Sequence, residues 1–476
     1  MRLTTFLYEV MFMKRSANML SGPLWSNLIT YTIPIILTSI LQLLFNAADL
    51  VIVGRYSGSI NVAAVSATGS ITNLIVNLFI GLSIGAGVTV AHALGGNQTQ
   101  EVHRTVHTSL PTALVGGVIL SIVGVLFSET FLTMMKTPEN VLPLSAKYMR
   151  IYFCGMTFTM VYNFCASILR AAGDTKSPLI FLSLAGIINV ILNVFFVLYL
   201  HMTVDGVALA TVISQAISAV LVVIALMRRT DACRLYLKKI RFYKQQFLKI
   251  IRIGLPAGIQ SSMFAISNVI VQSSINSFNS EALMSGNGAA ANIEGFVYVI
   301  MNSFHQTAVN FIGQNMGAHQ YKRIKKIFGL CLIYVSVAGF AAGFSVWCFG
   351  EKLLGIYITD SQEAIRHGLT RFNYVALPYF VCGLMDVSTG SLRGLGASFT
   401  PMLLSILGVC GIRIMWIYTV FQIPQFHTPE CLYTAYFISW LGTFIFQTAA
   451  FIHIYKKRVR TDKLISRMPD FKGEVA

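Results

Sequence analysis

The sequence predicts an all-α polytopic membrane protein with twelve transmembrane helices. They form two six-helix lobes related by a pseudo-two-fold axis along the membrane normal. Three observations lead there. Of 476 residues, 55% are hydrophobic and only 11% charged, with a mean hydropathy of +0.68, whereas a soluble domain carries about 25% charged residues. Apolar runs of about 20 residues, enough to cross a hydrocarbon core of about 30 Å, recur along the chain, and no alternating strand pattern competes with them. Finally, the chain repeats itself on either side of its longest polar connector, "RRTDACRLYLKKIRFYKQQF".

Residues 1–24 form a cytoplasmic amino-terminal segment. Its stretch "MFMKRSANMLSGPLW" is basic and lacks a small-residue cleavage site, so it does not read as a signal peptide. Met11 and Met13 are alternative starts to Met1. The amino lobe, 25–227, places spans near 25–54, 62–91, 104–128, 141–167, 177–200 and 206–227. A cytoplasmic linker covers 228–246. The carboxy lobe, 247–455, places spans near 247–275, 285–314, 327–349, 367–390, 399–421 and 432–455, and a basic tail occupies 456–476.

Sliding the second half back by 222 residues sets Pro256 on Pro34, and Gly317 and Gln320 on Gly95 and Gln98. One residue further along, "LRGLGASFTP" (Leu392–Pro401) meets "LRAAGDTKSP" (Leu169–Pro178). Six spans is an even number, so both halves enter from the same side. Such parallel repeats place a substrate route between the lobes and let access alternate by rocking one against the other.

The formal charge of +17 raises the question of nucleic acid, and its placement answers it. Most Lys and Arg fall on the amino-terminal side of the spans, so the positive-inside rule puts both termini in the cytoplasm. These residues orient the chain and touch anionic lipid headgroups; no nucleic-acid partner is expected. The eight cysteines show no CxxC pairing and the histidines no metal-ligand spacing. No GxxxxGK[ST] phosphate loop exists. The expectation is a carrier without cofactor, and not an enzyme.

Polar residues inside the spans are then the informative ones. Ser39, Gln42, Asn46 and Asp49 lie at steps of three, four and three, along one face of the first span. Asn189 and Asn193 share a face of the fifth span, and Thr211 and Gln215 a face of the sixth. Such groups can simply hydrogen-bond helices together. Asp49 is harder to explain that way, because an ionised Asp at bilayer depth costs about 2.5–3.5 kcal/mol and an Asn would serve. The second half offers Glu294 and Asp386, with Asn302, Gln306, Asn310 and Gln314 at strict steps of four. Gln42, Asn46, Glu294, Asn302, Gln306 and Asp386 are candidates for the substrate cavity; Glu294 and Asp386 alternatively pair with an intramembrane cation such as Arg413 or lie at a hydrated helix end. Pro34 and Pro256 interrupt the helix ladder and are candidate hinges. "GLSIGAG" (Gly81–Gly87) allows close helix packing, and Gly173 and Gly396 turn the chain at the repeated elbows holding Arg170 and Arg393.

The duplicated plan resembles the multidrug and toxic compound extrusion (MATE) family, on its bacterial, DinF-like side. So do "SGPLW…IPIIL", "LQLLFNAADLVIVGRYSG", "GLSIGAGVTVAHALGG", "ILRAAGDTKSP", "QNMGAHQ" and "SLRGLG". The likeness covers about residues 20 to 455. It implies a secondary active antiporter of a bacterial inner membrane, monomeric, exporting organic, often cationic, compounds (multidrug efflux) in exchange for H⁺ or Na⁺. It also implies that Asp49 is the first-span acid on which coupling depends, with Asn189, Asn193 and Thr211 around it. In some members the position of Asn193 is an Asp; its neutrality leaves the ion open, and Na⁺ at Asp49 would be the one metal bound. Part of the family carries an acid eight residues after the seventh-span Pro, where this chain has Phe264, so the amino lobe is favoured. The alternative function is a flippase or exporter of a lipid-linked saccharide or other amphiphile in the same superfamily, whose cavity would call for more Arg and Lys, whereas the candidate cavity residues here are acids and amides.

Overall fold

The computed structural model describes residues 17–135, 137–359 and 361–465. The alternative starts at Met1, Met11 and Met13 and the end of the basic tail lie outside these. The described residues are helical and hold no β-strand.

In chain order come α1 (Leu24–Ser57), α2 (Ser59–Gly95), α3 (Thr99–Met134), α4 (Leu142–Cys154), α5 (Met156–Ala171), α6 (Lys176–Val194) and α7 (Val204–Arg228). Then follow α8 (Lys244–Asn276), α9 (Glu281–Gly317), α10 (Tyr321–Cys348), α11 (Gly350–Tyr357), α12 (Gln362–Arg371), α13 (Tyr379–Gly394), α14 (Phe399–Ser405), α15 (Ile412–Tyr418) and α16 (Pro429–Ile465). Among the described residues nine helical stretches are long and apolar enough to cross a membrane. Two bent pairs, α4 with α5 and α12 with α13, pass the same test together, at bends of 46° and 42°. The remaining one of the twelve expected spans is α9. It has 37 residues, ample length, but is too polar to stand among the others.

The bends and wide turns have local causes. Gly155 ends α4 and starts α5. Pro378 lies between α12 and α13 and lacks the N–H that would continue the ladder. π-helical turns at Phe195–Tyr199, Phe372–Ala376 and Ile406–Gly411 insert extra residues into the fifth, tenth and eleventh spans. At Pro34 and Pro256, by contrast, α1 and α8 run on unbroken.

The repeat is visible in backbone geometry. Asn97 and His319, 222 positions apart, adopt left-handed φ of 53° and 55° at the same place after a helix. Gly173 and Gly396 turn the two elbows at φ of 89° and 81°. In each elbow the glycine N–H returns to the carbonyl of the preceding Arg, Gly173 to Arg170 at 3.0 Å and Gly396 to Arg393 at 2.8 Å, a helix-ending turn that glycine adopts without a Cβ penalty.

The chain divides into two compact units, one ending at Val269 and the other beginning at Ile270. In the first, α3, α4 and α5 pack with α2 and α7 around Met149, Phe153, Met160, Phe164 and Phe181, all fully buried. Its α2 and the first part of α8 approach backbone to backbone. A Cβ on Gly254 would stand 2.6 Å from Leu82 Cα and 2.9 Å from the Gly81 carbonyl oxygen, and Gly81, Gly85 and Gly258 are equally tight. In the second unit α9 is the hub, touching α10, α12 and α13, with α16 against α13.

Candidate functional site

The first unit builds its site where α1 meets α6. Gly186 lets the two helices close, because any Cβ there would overlap the Phe45 ring. One turn beyond Phe45 on α1 comes Asp49; one and two turns beyond Gly186 on α6 come Asn189 and Asn193. Asn193 Nδ2 donates to Asp49 Oδ1 at 2.5 Å and to Asn189 Oδ1 at 3.2 Å. From α7, Thr211 Oγ1 lies 3.5 Å from Asp49 Oδ2 and 3.5 Å from Asn189 Nδ2. That hydroxyl also bonds the Val207 carbonyl oxygen at 3.0 Å. Its single proton therefore serves its own helix or the carboxylate, and a change of rotamer switches between them.

The carboxylate is 9% exposed, Asn189 5% and Asn193 fully buried. Among the described residues no ion pair involves Asp49, and Asn193 Oδ1 is buried without a hydrogen-bond partner. A carboxylate, two amide oxygens and a hydroxyl make an all-oxygen set suited to a hard cation, and the carboxylate alone can take a proton. Either neutralises a charge that no cation among the described residues opposes. No cluster of three or more His, Cys, Asp or Glu fit for a resident metal occurs among the described residues.

The structure thus brings together the stripes of α1, α6 and α7, but only in part. Gln42 and Asn46 share the face of Asp49, two turns and one turn away respectively, yet both side chains are exposed and neither reaches the cluster.

The second unit separates its two acids. Glu294 of α9 is locked by Arg371, whose Nε and Nη2 donate to its two oxygens at 2.9 and 2.6 Å. Arg371 Nη1 also donates to Asn287 Oδ1 at 2.7 Å, which receives the Tyr433 hydroxyl at 3.1 Å. Sequence reasoning offered Arg413 as such a partner. Arg413 instead lies 4.1 Å from the centre of the Tyr436 ring and bonds Ser439 Oγ at 3.1 Å. Arg371, at the entry of its span, was not singled out at all; an Arg opening an apolar run of the same half as Glu294 was the available signal.

Asp386 of α13 is buried, with Oδ2 unpartnered among the described residues. Beside it, His305 Nδ1 bonds the Asp386 carbonyl oxygen at 2.8 Å and Nε2 meets Arg393 at 3.2 Å. His305 was also missed, though it stands inside the polar ridge of α9. On that ridge Gln306 Nε2 donates to Asn302 Oδ1 at 2.9 Å and Asn310 Nδ2 to the Gln306 carbonyl oxygen at 2.8 Å, so it is bonded along itself.

Comparison with known proteins agrees with this architecture. The MatE family pattern matches the chain twice, over residues 34–195 and 256–419, so its two starts fall on Pro34 and Pro256, the pair read as repeats. Among curated relatives, "Probable multidrug resistance protein YoeA" of Bacillus subtilis (strain 168) is 26% identical over 399 residues, 82% of this chain and 85% of that protein. "Probable multidrug resistance protein YpnP" of the same organism is 25% identical over 456 residues, 94% of this chain and 98% of that protein. Among solved structures, one described as "Crystal structure of MATE in complex with MaL6" shares the fold at a TM-score of 0.86 and 17% identity, over 94% of this chain and 100% of that one. Matched in both halves and over more than half its length, the chain belongs to the MatE family, that of the multidrug and toxic compound extrusion transporters.

Proposed function

We propose that the protein is a secondary active antiporter that exports organic, often cationic, compounds across a bacterial inner membrane in exchange for H⁺ or Na⁺. Access alternates between the two sides, and both termini face the cytoplasm. One observation carries this reading: Asp49 is buried on a spanning helix, ringed by Asn189, Asn193 and Thr211, and no cation of the described chain opposes it. A purely structural carboxylate would gain a partner, as Glu294 does. The names of the multidrug relatives support the substrate class.

In this mechanism the coupling ion enters from outside and neutralises Asp49, which removes the cost of holding a bare charge in hydrocarbon. Asn193 and Thr211 orient the carboxylate, and their oxygens turn toward Na⁺ if Na⁺ is the ion. The neutral state favours one arrangement of the helices and the charged state the other, so ion entry and substrate exit alternate. Pro34 and Pro256 serve as the flexible points. Gln42 and Asn46, exposed on α1, are substrate candidates of the first unit, Asn302 and Gln306 of α9 are substrate candidates of the second, and Asp386 is a second transport-linked acid. Glu294 has a structural role through Arg371.

For an uncharged substrate, one net charge crossing about 150 mV yields about 3.5 kcal/mol, which sustains a gradient of a few hundredfold; a monovalent cation exchanged one for one moves no net charge and is driven by the ion's concentration ratio alone. The test is uptake of a fluorescent organic cation into proteoliposomes under an imposed pH gradient and, separately, a Na⁺ gradient. Asp49→Asn is expected to abolish accumulation under both. Wild-type accumulation by that variant would refute the assignment, and the gradient that drives the parent identifies the ion.

A further inference from the structure

The connector between α7 and α8 follows a fixed course. Leu235 N–H donates to the Leu226 carbonyl oxygen at 3.0 Å, Tyr236 N–H to His107 Nε2 at 3.0 Å, and Tyr243 N–H to Thr108 Oγ1 at 3.2 Å. The His107 ring that receives Tyr236 is stacked on His103 at 3.9 Å. Beyond the strap, Lys249 Nζ and Gln246 Nε2 reach Glu101 Oε2 at 2.7 and 3.0 Å. The strap is thus pinned to the start of α3 at both ends, with one 3₁₀ turn, Leu237–Lys239, between the pins.

What the pins leave outside is unusual. Leu237, Ile240 and Phe242 are 50%, 36% and 53% exposed, and they alternate with Lys238, Lys239 and Arg241, also exposed. Arg234 and Lys239 each lie 4.9 Å from the centre of the Tyr236 ring. Arg104 and Arg241 lie 5.7 and 5.8 Å from that of Tyr243. These cation–π contacts hold the positive groups at the strap. Residues 228–252 carry nine Lys and Arg against one acid, Asp231, which Arg229 already engages.

A strap held this firmly and facing water would display three large apolar groups for no return. Against a bilayer the same pattern fits: apolar groups sink below the phosphate level while long cationic side chains stay at it. Both neighbouring helices are spanning, so the strap cannot leave the interface by more than a few residues' reach. Clustered Lys and Arg beside a spanning helix favour an anionic surface, and Arg matches phosphate oxygens in pairs.

We propose that residues 234–244 form a docking surface for the phosphate headgroups of anionic phospholipids in the adjacent leaflet, with Leu237, Ile240 and Phe242 inserted among the acyl chains. The full-length carrier carrying Phe242→Trp is placed in nanodiscs of acyl-brominated phosphatidylcholine, with or without acyl-brominated phosphatidylglycerol. Its emission is read as the difference from the parent, whose four tryptophans are common to both. Quenching about threefold stronger in the anionic discs is expected, and it should fall to the zwitterionic level when Lys238, Lys239 and Arg241 are all changed to Gln. Equal quenching in both discs would overturn anionic recognition; no quenching in either would overturn the lipid contact and point to a soluble partner. A second reading needs no substitution. In the parent, acylation of Lys238 and Lys239 by a water-soluble amine reagent should slow about threefold in anionic discs, and an unchanged rate would also count against the proposal.

Discussion

Removing Arg371 should damage the protein far more than removing Arg371 and Glu294 together. The pair is sealed, with side chains 7% and 4% exposed, and joined by two short hydrogen bonds while a third runs from Arg371 to Asn287. Arg371→Met keeps an unbranched stem against Tyr433 and Tyr436, whose ring centres lie 5.6 and 5.5 Å from the guanidinium carbon. It nevertheless strands the Glu294 carboxylate, and breaking a buried pair from one side costs about 3–5 kcal/mol. Adding Glu294→Leu removes the stranded charge, and apolar replacement of a whole buried pair is neutral or stabilising by about 1–4 kcal/mol. Asn287 Oδ1 retains its bond from Tyr433 in both variants. The single and double variants should therefore differ by about 3 kcal/mol or more, about two decades in the unfolding equilibrium. Reversible unfolding by SDS in mixed micelles, followed by circular dichroism, measures this. If the single variant unfolds with the parent, or the double with the single, the account of Glu294 as a neutralised structural acid is wrong.

Three further outcomes follow from the geometry. Gly254→Ala puts a methyl group 2.6 Å from Leu82 Cα, which is backbone and cannot rotate aside; a loss of about 1–3 kcal/mol is expected, read as a lower melting temperature in detergent. Gly288→Ala, which meets nothing within 4 Å, is the control and should melt no lower than the parent. Pro34→Ala restores a helix N–H, worth up to about 3 kcal/mol in a helix interior. It should leave stability equal or higher while slowing export, and a normal transport rate would dismiss the hinge. Burial alone would raise the Asp231 carboxyl, but the hydrogen bonds and charge of Arg229 outweigh it and hold that carboxyl below the usual range. With a folded value below the unfolded one of about 3.9, its contribution is complete above about pH 4 and is lost as pH falls through the folded value. Protease cleavage within 228–246 should therefore speed up only in strong acid, and in Asp231→Asn should lose that acid step; a step near neutrality would contradict the assignment.

Much of this was legible because hydrocarbon imposes strict rules. Runs without charge had to be helices, and a carboxylate among Leu and Ile stood out at Asp49. Steps of three and four put Asn189 with Asn193 on one face, and the repeat linked Pro34 to Pro256. What stayed hidden depends on side chains meeting across helices. Nothing local tells Glu294 that its partner is Arg371, 77 residues on, and not Arg413. Gly186 closes α6 onto Phe45, yet a single glycine in an apolar run has several common uses. Gln42 and Asn46 follow the same spacing as Asp49 and still remain outside its hydrogen-bonded group, because periodicity gives the face of a helix and not the depth at which a neighbour arrives.

The polarity of α9 has a consequence for synthesis. This helix leaves the ribosome bearing Asn287, Glu294, Asn302, His305 and Gln306, while the guanidinium that neutralises Glu294 is 77 residues behind it. At about 5–20 residues per second that gap lasts about 4–15 s. During it the nascent segment is a poor candidate to partition into lipid alone, so it must linger at the translocon or beside earlier helices until α12 and α13 arrive. The carboxy-terminal half is thus obliged to mature as a group, and the quality-control window of the whole carrier is set by the delay between one acid and its base.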